Sequence, residues 1–166
     1  YKIGRDIQKG EYIIKKASGA YGGLSFKKSV DPYVQNVASD FKMVDVSVYY
    51  TLSKDGYVHI TGCELYDAAS HNMASIGCDG TTPAMYKVGK DIKPGKYTLV
   101  PTDSENGYMV YYDLRYIELS IKDYKEDVKA GTVITLENGT YFRSSGLKLV
   151  PYVEPGTTAA PETTTE

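Results

Sequence analysis

Apolar and polar residues alternate strictly in two stretches of the chain. Val44, Val46, Val48, Tyr50 and Leu52 are separated by Asp45, Ser47, Tyr49 and Thr51. Ile117, Leu119 and Ile121 are separated by Glu118, Ser120 and Lys122. Successive side chains of a strand point to opposite faces, so each stretch predicts a strand with one buried and one wet face. A helix would put Val44 and Val46 on different faces. Shorter strands are predicted over 11–16, 23–28, 57–61, 97–101, 108–112, 132–136, 141–144 and 147–150. Turn signals fall between them, from Gly19 to Gly23 and at Asp55-Gly56, Asn106-Gly107 and Asn138-Gly139. Such dipeptides supply the positive φ angles that tight hairpins need. The pattern predicts an all-β fold built from small antiparallel sandwich or jelly-roll-like units.

The chain also repeats itself. Residues 1–12 read YKIGRDIQKGEY and residues 86–97 read YKVGKDIKPGKY, identical at seven of twelve positions. The echo runs on. Tyr33, Asp40 and Lys42 match Tyr116, Asp123 and Lys125 at an offset of 83, and Thr51, Leu52, Tyr57, Gly62 and Leu65 match Thr135, Leu136, Tyr141, Gly146 and Leu149 at 84. A duplicated module fixes the architecture before any other feature is read. The expected division is repeat 1 over 1–66, a linker over 67–85, repeat 2 over 86–152 and a tail over 153–166. In the shared motif, Asp6 and Asp91 are expected to cap a turn, and Ile7 and Ile92 to plug the core. Gly10 and Gly95 would turn the chain into the strand begun by Tyr12 and Tyr97, with Pro94 presetting the corner.

Composition narrows the class further. The 166 residues hold 17 Tyr, 3 Phe and no Trp. Tyr suits a pleated, half-buried surface and tolerates a wet edge. Net charge is −2, so no basic stripe is available to displace counterions from nucleic acid. No apolar run nears the roughly 20 residues of a membrane span, so a membrane would be reached only through a lipid anchor outside this segment. The chain opens inside a repeat motif without an initiator Met, which reads as a mature or trimmed segment. The Thr/Pro-rich end, from Thr157 onward, cannot bury apolar surface and reads as a disordered linker to a further domain.

The motif Y-K-V-G-K-D-I-K-P-G-K-Y resembles the opening of a small all-β module found in secreted proteins and lipoproteins of Firmicutes. Those modules close near an Asp-Gly-x-Tyr and a Gly-Cys, matched here by Asp55, Gly56, Tyr57, Gly62 and Cys63. In repeat 2 only Tyr141 and Gly146 survive, with Leu147 in the cysteine's place. The resemblance covers both repeats and implies a secreted or cell-surface location. It carries no catalytic residue across.

Candidate chemistry is sparse. Cys63 and Cys78 are either a disulfide closing a loop of about 15 residues or two reduced thiols. With His59 and His71 they complete no zinc-ligand spacing, so no metal is expected. His59, between Val58 and Ile60, matches Arg143 and reads as a solvent-face residue without a nucleophile or paired carboxylate beside it. Asp103-Ser104-Glu105-Asn106-Gly107 lacks calcium-loop spacing. Asn138-Gly139-Thr140 is formally a glycosylation sequon and is simpler as a hairpin turn. The binding candidates are aromatic: Tyr108, Tyr111, Tyr112 and Tyr116 with Arg115, and Tyr49 in repeat 1. Exposed Tyr rings stack on sugars or anchor protein interfaces.

These features predict a non-catalytic extracellular module without cofactors, binding a glycan or a surface protein. The alternatives are a structural spacer that holds another domain away from the cell, and a secreted hydrolase. The last rests on no motif in the chain.

Overall fold

A computed structural model describes residues 1–17, 22–29, 42–44, 46–80, 82–101, 107–113 and 120–154. Among them the chain is all-β apart from one short 3-10 helix, Ala74–Ile76. Repeat 1 contains β1 (Gly10–Lys16), β2 (Gly22–Lys27), β3 (Lys42–Val44), β4 (Val48–Leu52), β5 (Tyr57–Thr61) and β6 (Cys63–Asp67). After β7 (Ala84–Lys87), repeat 2 contains β8 (Gly95–Pro101), β9 (Gly107–Asp113), β10 (Ser120–Val128), β11 (Thr132–Leu136), β12 (Tyr141–Ser145) and β13 (Leu147–Pro151).

The sheets repeat as the sequence does. Repeat 1 forms antiparallel sheets in the orders β4-β1-β6 and β3-β2-β5. Repeat 2 forms β11-β8-β13 and β10-β9-β12, the latter extended by β7. Register is conserved to the residue: Ile13 lies opposite Tyr49 and Tyr66, and its counterpart Thr98 lies opposite Val133 and Val150. A bulge between Lys125 and Val128 in β10 accounts for one residue of drift in the sequence offset.

Each repeat has its own core, fed by both of its sheets. Ile3, Ile14, Leu24, Val44, Leu52 and Val58 fill the first. Val88, Leu99, Val128, Leu136, Phe142 and Leu147 fill the second. Five of these six positions correspond pairwise between the copies, with Ile3 matching Val88 and Val58 matching Phe142. Leu147 is the counterpart of Cys63, which packs against the first core.

The repeated opening is a closed loop. Lys2 N–H donates to Asp6 Oδ2 at 2.8 Å and Asp6 N–H to Lys2 O at 2.8 Å. Lys87 N–H donates to Asp91 Oδ2 at 2.7 Å and Asp91 N–H to Lys87 O at 2.8 Å. Both carboxylates cap a turn as expected. Left-handed corners fall at Gly4 (φ 86°) and Gly89 (φ 94°), and Gly95, after Pro94, also takes a positive φ of 152° at the expected bend into the next strand, whereas Gly10 does not. The Tyr12 and Tyr97 hydroxyls close the loop onto Gln8 O and Lys93 O, at 2.9 and 2.7 Å.

The stretch 44–52 is not one strand. Val44 pairs with Gly22 in one sheet and Val48 with Ile14 in the other, so the chain crosses between sheets in the interval. Among the described residues of its second face, Ser47 and Tyr49 are buried and only Thr51 is exposed. Of the second alternating stretch, Ser120, Ile121 and Lys122 belong to β10, and 117–119 lie outside the described residues.

Candidate functional site

What covers that second face is a third apolar cluster, between the repeats. Repeat 1 supplies Ile13 and Tyr49, the segment after it supplies Ala68, Met73, Ile76, Cys78, Ala84 and Met85, and repeat 2 supplies Tyr86 and Tyr141. The stretch 67–85, which lacks periodicity, is therefore a folded wedge. Local hydrogen bonds build it. Asp67 Oδ1 accepts from Ala69 N–H at 2.9 Å, and Asn72 Oδ1 from Ser75 N–H at 2.8 Å. Ser75 Oγ accepts from Asn72 N–H in return, at 3.1 Å. Gly77 ends the 3-10 helix in the left-handed conformation, φ 89°. This folding directs Met73, Ile76 and Cys78 inward. Met85 N–H then donates to Ser47 O at 2.8 Å and Ala84 bridges to Ser47, so the wedge joins the repeats by backbone pairing too.

Polar groups cross the same junction. Asp91 caps its own turn and also accepts from the Tyr49 hydroxyl at 2.8 Å and from Met73 N–H at 2.8 Å. One carboxylate thereby ties together repeat 1, the wedge and repeat 2. Lys87 Nζ pairs with Glu11 Oε2 at 2.8 Å, and the Tyr141 hydroxyl donates to Glu11 Oε1. The Lys87 ammonium lies 5.4 Å from the centre of the Tyr141 ring and 6.0 Å from that of Tyr49. The two rings meet edge to face at 5.4 Å. Lys90 Nζ donates to Ala68 O and to His71 O, the latter at 2.6 Å, and Lys15 Nζ donates to Ile76 O at 2.9 Å. Burial pushes the Tyr49 and Tyr141 phenols well above their ordinary range, and hydrogen bonds to Asp91 and Glu11 add to the shift. The Tyr86 phenol is raised mainly by burial.

Of the sequence-predicted binding residues, Tyr49 alone has a described side chain. Tyr49 is only 2% exposed, so its ring cannot stack on an incoming ligand; alternation told which residues share its face but not that repeat 2 covers it. Tyr108, Tyr111 and Tyr112 are on β9, where Tyr111 sits opposite Phe142 as Phe26 sits opposite Val58. Their side chains, and the whole of Arg115 and Tyr116, lie outside the described residues. Cys63 and Cys78 are both free: Cys63 borders the repeat 1 core, while Cys78 is buried in the junction with its thiol 3.6 Å from Ser47 Oγ. The candidate disulfide is thus absent. His59 is exposed on β5. Among the described residues no three His, Cys, Asp or Glu side chains gather as a metal site would require.

Sequence reasoning missed Ile13, Glu11, Lys87, Lys90 and the second role of Asp91. A signal was present in the differences between the copies. Glu11, Ile13, Tyr49 and Tyr66 correspond to Lys96, Thr98, Val133 and Val150. Where duplicated positions change polarity, one copy is meeting something the other is not. Compared with protein-family models, curated proteins and solved structures, the chain finds no match.

Proposed function

We propose that this chain is a non-catalytic spacer of a secreted or cell-surface bacterial protein, two modules locked into one body that holds whatever is attached to it at a fixed reach. The observation that carries this is the junction, an apolar cluster crossed by the Glu11–Lys87 ion pair and the Asp91 hydrogen bonds. A pair of binding modules on a loose tether needs no such wedge, because a flexible linker suffices for avidity. The junction's chemistry is also consumed internally. Its carboxylates and ammonium groups are engaged with partners in the chain, and burial holds its phenols un-ionised. The extracellular setting rests on the resemblance of the opening motif to modules of secreted Firmicutes proteins and on the Thr/Pro-rich end.

Residual dipolar couplings measured on residues 1–166 test the spacer. A single alignment tensor should fit both repeats. Two tensors of different magnitude would mean independently tumbling modules and would sink the proposal. The ligand-binding reading is tested by a glycan array. Binding that disappears in Tyr111→Ala/Tyr112→Ala would favour it, with β9 as the binding element.

A further inference from the structure

The duplication presents one sheet face in two states. In repeat 1 the outer face of β4-β1-β6 carries Ile13 between Tyr49 and Tyr66, and the wedge and repeat 2 cover it. In repeat 2 the equivalent face of β11-β8-β13 carries Thr98 between Val133 and Val150. That face lies open. Val133 is 45% exposed, Val150 37% and Val100 38%, while their inward neighbours Leu99, Ile134 and Leu149 pack into the module core. The chain leaves both sheets in the same way: Ala68 N–H donates to Glu11 O, and Tyr152 N–H to Lys96 O, each at 3.0 Å.

The charges on the two faces are reversed. Glu11, which receives Lys87, is replaced by Lys96, and Glu64, opposite Lys15, is replaced by Lys148, opposite Val100. Lys96 already draws a carboxylate, that of Glu154 at 3.4 Å.

We propose that the outer face of β11-β8-β13 is a docking face for the opening loop of another module of this architecture, one carrying a carboxylate where repeat 2 carries Lys87. The covered face of repeat 1 shows what such a face accepts, and Lys96 and Lys148 set the sign of the partner. The chain's own opening loop has the shape but the wrong charge. It is exposed, with Tyr1 66% exposed, and it would bring Lys2 against Lys96. A contact between the head of one copy and the tail of the next is open-ended and builds filaments when it is favourable. Like charge at this one position keeps the protein from adding to itself, while leaving the face free for a partner of opposite sign. The docking face follows from the equivalence of two sheet faces and does not depend on the spacer role.

A charge-swap cycle read by sedimentation equilibrium tests it. Lys2→Glu and Lys96→Glu each create an opposite-charge pair across the head-to-tail contact, and the double variant restores like charge. The wild type and the double variant should remain monomeric. Each single variant should show a weight-average mass that climbs with concentration, to twice the monomer and beyond. Adding Val133→Asp to either single variant should return it to monomer. Both lysines are exposed, and an unchanged thermal transition would confirm that the variants fold. Single variants that stay monomeric, or a double variant that associates as strongly as they do, would overturn the proposal.

Discussion

Asp6 and Asp91 hold the same turn in the two repeats, yet only Asp91 reaches across to another module. Asp6 is met by the Arg5 guanidinium at 2.7 Å, at the surface. Removing the Asp91 carboxylate leaves the Tyr49 hydroxyl and the Met73 N–H without their acceptor, and unsatisfied buried polar groups are costly. Asp91→Ala should therefore lose about 2–3 kcal/mol in urea unfolding, and Asp6→Ala clearly less. The Arg5 hydrogen bond, with help from the Lys2 N–H, lowers the Asp6 carboxyl to about 2. Whatever stability Asp6 contributes is present above the ordinary carboxylate pKa near 4 and fades as pH falls toward about 2. The Tyr49 and Tyr141 phenols run the other way. They keep their protons in the folded chain where the unfolded chain would lose them. Their contribution is whole below pH about 10 and declines as pH rises beyond it. From these groups the urea midpoint should hold up to pH about 10 and fall above it, and Tyr49→Phe should make that fall shallower.

At the scale of elements, the eight short strands expected from turn signals all occur, within about two residues of their expected ends. They were legible because Gly, Asn and Asp at corners and apolar residues at alternate positions act locally. Three things were not. The crossing of 44–52 between sheets depends on which strands lie beside it, and Val44 looks the same in either sheet. The burial of Tyr49 depends on repeat 2, which lies far along the chain. The wedge has no period because side-chain caps at Asp67 and Asn72 shape it, and its apolar residues follow those turns. Met73 and Ile76 are buried while their neighbours Ala74 and Ser75 are exposed. Met73→Ala and Ile76→Ala should each cost about 2–5 kcal/mol. Ala74→Gln, at an exposed position, should cost almost nothing.

The whole molecule behaves in this picture as a short repeat array whose interface energy is shared by both modules. Calorimetry of the intact chain should give one transition. Replacing 69–83 by a Gly-Ser segment of equal length should split it into two, because Ile13, Tyr49 and Tyr66 would lose their cover. One broad transition in that variant, unchanged from the wild type, would mean that the modules never depended on each other. The charges of the junction point the same way. Glu11 and Lys87 bind the copies in one order only, so the two-module body is polar along its length.

The two thiols make this coupling measurable without any substitution. Cys78 is sealed in the junction, whereas Cys63 sits half-covered at the edge of one module. A reagent that modifies thiols can reach Cys78 only when the modules part, so its rate of capture counts partings, and Cys63 supplies the internal clock for ordinary breathing. In mild denaturant the ratio of the two rates separates hinge opening from unfolding, and the native protein carries its own gauge of how firmly its two modules are joined.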